Sequence, residues 1–139
     1  KFPAAGGDYS EANMTDGKPG TVGLENASDV EYLLSIPASV VAMADDGASL
    51  FHMMNGNTFT CGALRLTDAG KLDEAAKEIK DYIMAKHWMC GFPDKLIVVS
   101  IDNYLISCFG AEDLVNTFRN KLQAAYSGAV VITDEPIVV

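Results

Sequence analysis

The spacing of hydrophobic and polar residues predicts regular secondary structure from residue 58 to the end of the chain. Residues 58–66 (TFTCGALRL) are rich in β-branched and aromatic residues and predict a strand. Thr67-Asp68 is a helix-start signal, and residues 69–87 carry a hydrophobic stripe at the 3.6-residue period of a core-facing helix. The residues of the stripe are Leu72, Ala76, Ile79 and Ile83, flanked by Ala75 and Tyr82.

Residues 95–110 (KLIVVSIDNYLISCFG) predict a hairpin of two strands with Asp102-Asn103 as its turn, because both residue types tolerate a positive φ. A two-residue turn fixes which residues lie opposite each other. The predicted pairs are Ile101 with Tyr104, Val99 with Ile106, and Ile97 with Cys108. These pairs form one apolar sheet face, whereas the opposite face is mixed and carries Leu96, Val98, Ser100, Leu105, Ser107 and Phe109.

A second amphipathic helix is predicted at residues 111–126, and residues 129–139 predict a last strand. The order is therefore β-α-β-β-α-β, which is typical of ferredoxin-like α+β domains with two helices on one face of an antiparallel sheet. This fold supports many unrelated functions, so the prediction stops at architecture.

The segment before residue 58 has a weaker pattern. Residues 1–27 are rich in Gly, Ala, Asp, Asn and Pro and predict a flexible tether or loosely docked arm, leaving residues 28–139 as a single α+β domain. Residues 30–36 are apolar enough for a strand or a short helix. Asp45-Asp46 is the expected start of a short helix that carries Leu50 and Phe51.

Composition and charge narrow the classes of partner. The chain has 139 residues, of which 49% are hydrophobic, and its formal net charge is -9. Such a charge repels phosphate backbones, so nucleic acid is not expected as a partner. The sequence has no apolar run near the roughly 20 residues that a membrane span requires. Phosphate-binding glycine motifs are missing too, and we expect no cofactor.

The segment from residue 58 to 122 resembles the bacterial family called domain of unknown function 4358, found mainly in exported or lipoprotein-type proteins of clostridia and their relatives. The resemblance lies in TFTCGALRLTD, KLDEAAKEIKDYI, CGFPDKLIVVSIDNYLISCFG and AEDLVNTFRNKL, about half of the chain. It implies an extracellular or cell-surface location, with membrane attachment only through an N-terminal lipid anchor that is no longer present. It implies no activity and no functional residues.

The stretch AKHWMCGFPDK places a histidine, a tryptophan, a methionine and a cysteine in consecutive positions. One hypothesis is a soft-metal site for Cu(I) or Zn(II), since imidazole, thioether and thiolate groups bind these ions. No pair has the spacing that presents two ligands to one ion, so two distant clusters would have to converge. The candidate ligands are His52, Met53, His87, Met89 and Cys90.

A second hypothesis is a cysteine nucleophile, Cys90 or Cys61, activated by His87 or His52. The sequence signals neither an orienting group nor an oxyanion hole, and we expect no catalytic residues. Cys61, Cys90 and Cys108 cannot all pair within one chain, but one disulfide bond remains open.

The interpretation that the pattern favours is a non-enzymatic binding module. Trp88 and Phe92 either cover the end of the core or form an exposed aromatic patch. The mixed sheet face is the predicted interaction surface, covered by residues 30–54 or by a protein, peptide or glycan partner or a second copy. The predicted interaction residues are Leu96, Val98, Leu105, Phe109, Trp88 and Phe92.

Overall fold

A computed structural model of the chain describes residues 4–7, 15–16, 20–24, 27–52, 58–86 and 93–137. The strands are β1 (Ala4–Gly6), β2 (Thr15–Asp16), β3 (Gly20–Thr21), β4 (Ala44–His52), β5 (Phe59–Leu66), β6 (Lys95–Ile101), β7 (Tyr104–Gly110) and β8 (Val130–Pro136). The helices are α1 (Ala27–Leu34), α2 (Ala38–Val41), α3 (Leu72–Ala85, preceded by the 3₁₀ turn Ala69–Lys71) and α4 (Glu112–Ala125).

The α+β class predicted from the sequence is confirmed. The described strands form one antiparallel sheet in the order β2-β1-β4-β5-β7-β6-β8, and β3 also pairs with β4. The predicted hairpin is present with the expected register, which pairs Ile97 with Cys108 and Ile101 with Tyr104. Asp68 begins the helical segment before α3, since its carboxylate accepts a hydrogen bond from the backbone N–H of Gly70 at 2.9 Å.

The strand order differs from the ferredoxin-like order in the position of the last strand. A ferredoxin-like sheet places its fourth strand beside the first, which here would put β8 beside β5. Instead β8 pairs with β6, with Ile97 opposite Asp134, and β4 occupies the place beside β5. The chain therefore extends the sheet at both ends of the β5-β7-β6 unit.

This strand order places the two long helices on opposite faces, so the prediction of both on one face was wrong. The connections β5-α3-β6 and β7-α4-β8 each cross one strand in the same direction along the sheet. Because β5 and β7 are antiparallel, right-handed crossovers then put α3 and α4 on opposite sides. We call the side of α1, α2 and α3 the first face and the side of α4 the second face.

The first face holds the larger core. Leu96, Val98, Leu105 and Phe109, predicted as an interaction surface, are at most 3% exposed beneath α1, α2 and α3. The covering residues from the preceding segment are Val30, Leu34, Ile36, Val40 and Val41. The alternative in which residues 30–54 cover this face is therefore the one observed, and these four side chains are buried within the chain.

Strands β1, β2 and β3 place parts of the first 27 residues in the sheet, where the composition predicted a flexible tether or loosely docked arm. β1 pairs with β2 and with β4, and the side chain of Ala5 is fully buried. The hydroxyl of Ser49 on β4 accepts a hydrogen bond from the N–H of Gly7 at 2.9 Å. The regular structure of this segment comes from pairing with other strands, which its composition does not indicate.

The predicted helix at Asp45-Asp46 was also wrong, because these residues lie in β4. Asp45 projects at a bulge between Ala44 and Asp46 and forms an ion pair with Arg65 of β5 at 2.8 Å. The segment at residues 27–34 is the helix α1, which settles the choice between strand and helix there. Among the described helices, none has the length and apolar character needed to span a bilayer.

Candidate binding groove on the second face

An open apolar groove lies between the second face of the sheet and helix α4. It encloses about 460 Å³. Its floor is formed by residues of β4, β5 and β7, namely Ala48, Leu50, Cys61, Ala63 and Ile106. Its wall is formed by Phe118, Leu122 and Tyr126, and its end by Ile101, Asp102 and Tyr104 near the hairpin turn.

The groove exists because α4 covers only part of a wide sheet. Val115 anchors α4 over β6 and β7 and is fully buried against a cluster that includes Ile97 and Val99. Towards β4 the cover is incomplete, and Ala48, Leu50 and Ala63 on the second face are only partly buried. The central cross-strand pair there is Ala48 opposite Ala63, and these two methyl side chains are too short to fill the space above the sheet.

The wall of the groove follows from the helical period. Phe118, Leu122 and Tyr126 are four residues apart, so they align along one side of α4 and its C-terminal end. Phe118 is held by an edge-to-face contact with Phe59 of β5, with ring centroids 5.8 Å apart. A hydrogen bond from the N–H of Glu112 to the Asp94 carboxylate at 3.0 Å fixes the start of α4.

The polar side chains of the described lining are few: Ser49 is buried and hydrogen bonded to the Gly7 backbone, and Asp102, Tyr104 and Tyr126 lie at the rim. Tyr104 is 37% exposed and Tyr126 is 53% exposed, so each places a ring at the groove mouth. Among the described lining residues Asp102 supplies the one charged side chain, and it has a φ of 52° in the hairpin turn. The groove thus combines an apolar interior with a carboxylate and two phenol groups at its edge.

Two cysteines lie opposite each other at the floor. Cys61 on β5 and Cys108 on β7 are direct cross-strand partners, and both are free thiols. Burial raises the pKa of Cys108 well above its usual value, and the hydrogen bond with Cys61 raises it further. Cys61 lines the groove, whereas Cys108 is fully buried behind it.

A serine and a lysine also meet, at the end of α1. The Lys86 ammonium donates a hydrogen bond to the Ser35 hydroxyl at 2.6 Å, and Ser35 has a φ of 56°. Burial lowers the pKa of Lys86, and the charge of Glu31 offsets part of that shift. Because Ser35 is only 2% exposed, this contact ties α1 to the end of α3 and does not present a nucleophile to a substrate.

The residues of the HWMC cluster lie outside the described residues, as do the other metal candidates apart from His52. Met53, His87, Trp88, Met89, Cys90 and Phe92 are all in this group. His52 ends β4 opposite Ala4. Among the described residues, no three His, Cys, Asp or Glu side chains are grouped to hold a metal ion. The soft-metal hypothesis therefore stays a prediction, to be tested by Cu(I) and Zn(II) titration with a His87→Ala variant.

Sequence reasoning did not identify the groove, because its floor combines alanine, cysteine, leucine and isoleucine residues from three strands with no distinctive pattern. Phe118 and Leu122 belong to the amphipathic helix predicted at residues 111–126, and they contact the core cluster of the second face while also forming the wall. The available signal was the number of apolar residues on this face, which one helix cannot cover.

No family model matches the chain, and no curated protein or solved structure shows a significant similarity to it. The resemblance to domain of unknown function 4358 therefore stays a prediction that rests on the quoted segments.

Proposed function

We propose that the chain is a non-enzymatic binding module, and that its ligand is a small amphiphile with an apolar body and a neutral or cationic polar end. The observation that carries this proposal is the open apolar groove of about 460 Å³ between the sheet and α4. Small-molecule sites in proteins are typically clefts of about 300–1,000 Å³ with mainly apolar linings and a few placed polar groups. The groove has the volume and the lining of such a site.

The charge distribution selects the polar end of the ligand. Asp102 at the groove end is an acceptor when ionised, and the Tyr104 and Tyr126 hydroxyls can donate or accept hydrogen bonds. The formal net charge of -9 adds a general repulsion of anions. A hydroxyl or ammonium group is therefore favoured at the rim, and a carboxylate is disfavoured.

The described lining residues contain no acid-base pair, which supports binding over catalysis. Cys61 and Ser49 are the thiol and the aliphatic hydroxyl of the described lining, the Ser49 hydroxyl is hydrogen bonded to the Gly7 backbone, and the described lining contains neither histidine nor lysine. Cysteines that act as catalytic nucleophiles are activated by a neighbouring base or positive charge. Export and surface attachment are supported by the family resemblance alone, and they would place the amphiphile outside the cell.

The test uses three ligands with the same apolar chain and different ends: decyltrimethylammonium, decanol and decanoate. Each is titrated below its aggregation concentration against the purified chain carrying the neutral fluorophore N-phenyl-1-naphthylamine, and displacement is measured. We expect displacement by the cationic and neutral compounds and at least about tenfold weaker displacement by decanoate.

The matched variants are Ala63→Phe, which fills the groove floor, and Ala124→Phe, which adds the same ring to an exposed position of α4 outside the lining. We expect Ala63→Phe to abolish probe binding and Ala124→Phe to retain it, with both variants folded by circular dichroism. Equal binding by the two variants, or no saturable binding by the original chain, would contradict the proposal.

A further inference from the structure

We propose that Cys61 and Cys108 form a reversible disulfide bond when a small uncharged disulfide enters the groove, so that the pair is a thiol-disulfide exchange site. The proposal rests on the position of the two thiols and on access through the groove, and it does not require that the groove binds an amphiphile. The unmodified protein is the dithiol, in which both cysteines are free.

The backbone register places the pair at the closest kind of cross-strand position. In β5 and β7, hydrogen-bonded and non-hydrogen-bonded pairs alternate. The N–H of Leu66 donates to the carbonyl of Asn103 at 2.8 Å, and the N–H of Ala111 donates to the carbonyl of Thr58 at 2.8 Å. Even-numbered residues of β5 therefore hydrogen bond to β7, and Cys61 opposite Cys108 is a non-hydrogen-bonded pair.

That position suits a disulfide bond without movement of the strands. Non-hydrogen-bonded partners have Cα atoms about 4.5 Å apart, with their side chains close together. Disulfide bonds join residues whose Cα atoms are about 4.4–6.8 Å apart. Both side chains lie on the second face, since both belong to its core cluster. The two sulfur atoms can therefore bond within the existing sheet.

The two thiols differ in their access to the groove, and this difference determines which cysteine reacts first. Cys61 is 6% exposed and lines the groove, whereas Cys108 is fully buried. The raised pKa of Cys108, due to burial and to the hydrogen bond with Cys61, keeps that group a thiol while Cys61 reacts. Cys61 is thus the attacking residue and Cys108 the resolving residue.

The exchange proceeds in two steps. The Cys61 thiolate attacks one sulfur of the external disulfide, the external S–S bond breaks, and one thiolate leaves. The thiolate released in the first step takes the proton of Cys108, the Cys108 sulfur attacks the Cys61 sulfur, a Cys61–Cys108 bond forms, and the second thiolate leaves and is protonated by water. The two cysteines lose two electrons and two protons, and the external disulfide becomes two thiols.

The experiment uses hydroxyethyl disulfide on the reduced full chain and on a Cys90→Ser variant, followed by alkylation of remaining thiols and mass spectrometry. Cys61, Cys90 and Cys108 lie on different tryptic peptides, which span residues 2–65, 87–95 and 96–119. We expect both proteins to lose two hydrogen atoms and to yield linked peptides 2–65 and 96–119, and 2-mercaptoethanol to reverse the reaction.

Single variants in the Cys90→Ser background test the order of attack. With Cys108→Ser we expect a stable mixed disulfide on Cys61, and with Cys61→Ser we expect Cys108 to remain unmodified while the protein is folded. Ala63→Phe should slow oxidation by about tenfold because it blocks the groove, whereas Ala124→Phe should not change the rate.

Three results would overturn the proposal: two persistent free thiols in the original chain, a final product that keeps one mercaptoethanol group on Cys61, or linkage through Cys90 instead of between Cys61 and Cys108. Oxidation with no amphiphile binding would overturn the proposed function and leave this inference standing.

Discussion

A Cβ atom added at Gly62 would lie 2.9 Å from Cδ1 of Leu34. The missing side chain on β5 therefore makes room for α1 to pack on the first face of the sheet. Leu34 is 1% exposed and contributes to the core that covers Leu96 and Val98. This contact is one reason why the predicted interaction surface is buried within the chain.

We expect Gly62→Ala to lower the free energy of unfolding by about 1 kcal/mol or more, because the added methyl group displaces the buried Leu34 and Ile36 side chains. The favourable backbone effect of replacing a strand glycine offsets part of this loss. The measurement is urea unfolding followed by circular dichroism. Gly128→Ala is the matched control, since a Cβ there meets no atom within 4 Å. Equal unfolding midpoints for the two variants would contradict the packing argument.

The structure confirms what the sequence predicted locally. The hairpin around Asp102-Asn103 has the expected register because a two-residue turn determines its own pairing. The stripe of α3 is buried at Ala76, Ile79 and Ile83 because a helix determines its own period.

The misplaced elements depend on contacts between distant residues. Nothing within residues 130–136 indicates whether β8 should pair with β5 or with β6. Both are outer strands of the β5-β7-β6 unit, so either one could accept another strand. β4 supplies the missing neighbour of β5, yet Asp45-Asp46 at its start has the local character of a helix start. The groove follows from these same pairings, because the width of the sheet relative to α4 determines which part of the second face is uncovered.

The hairpin turn predicts opposite effects for two adjacent glycine substitutions. Asp102 has a φ of 52°, which is strained for a residue with a side chain, whereas Asn103 is not among the described residues with positive φ. We expect Asp102→Gly to raise the free energy of unfolding by up to about 1 kcal/mol, and Asn103→Gly to lower it by about 0.5–1 kcal/mol. Urea unfolding of both variants measures the difference. Changes of the same sign would contradict the assigned turn geometry.

Asp134 links β8 to two cationic side chains and predicts a pH dependence of stability. Burial raises the pKa of Asp134, but hydrogen bonds from Lys95 and Arg119 outweigh it and hold the pKa below its ordinary value of 3.8. The Lys95 ammonium is 2.5 Å from the Asp134 carboxylate, and it also donates to Asn116 of α4 at 2.8 Å. A carboxylate with a lowered folded-state pKa stabilises the protein above its unfolded-state pKa and loses that effect as the pH falls.

We therefore expect Asp134→Asn to lower the free energy of unfolding by about 0.5–1 kcal/mol at pH 7, a modest value because the pair is partly exposed. The difference from the original chain should shrink between about pH 4 and pH 2. Asp81→Asn is the control for the same change in charge, because Asp81 forms an exposed ion pair with Lys77 at 2.6 Å and should matter less. A pH-independent deficit in Asp134→Asn would show that the carboxylate charge is not responsible.

Substitutions in α4 should affect stability and ligand binding differently, because the apolar residues of this helix lie in two different environments. Val115 is fully buried over β6 and β7, whereas Leu122 is partly exposed along the wall of the groove. We expect Val115→Ala to lower the free energy of unfolding by about 2 kcal/mol and to leave the dissociation constant of decanol within about twofold. We expect Leu122→Ala to cost less than about 1 kcal/mol in stability but to weaken decanol binding by about tenfold, since it removes apolar contact area from the site. Urea unfolding and fluorophore displacement, measured on the same protein samples, give both quantities. If the two variants weaken binding in proportion to their loss of stability, the groove has no binding role separate from the fold.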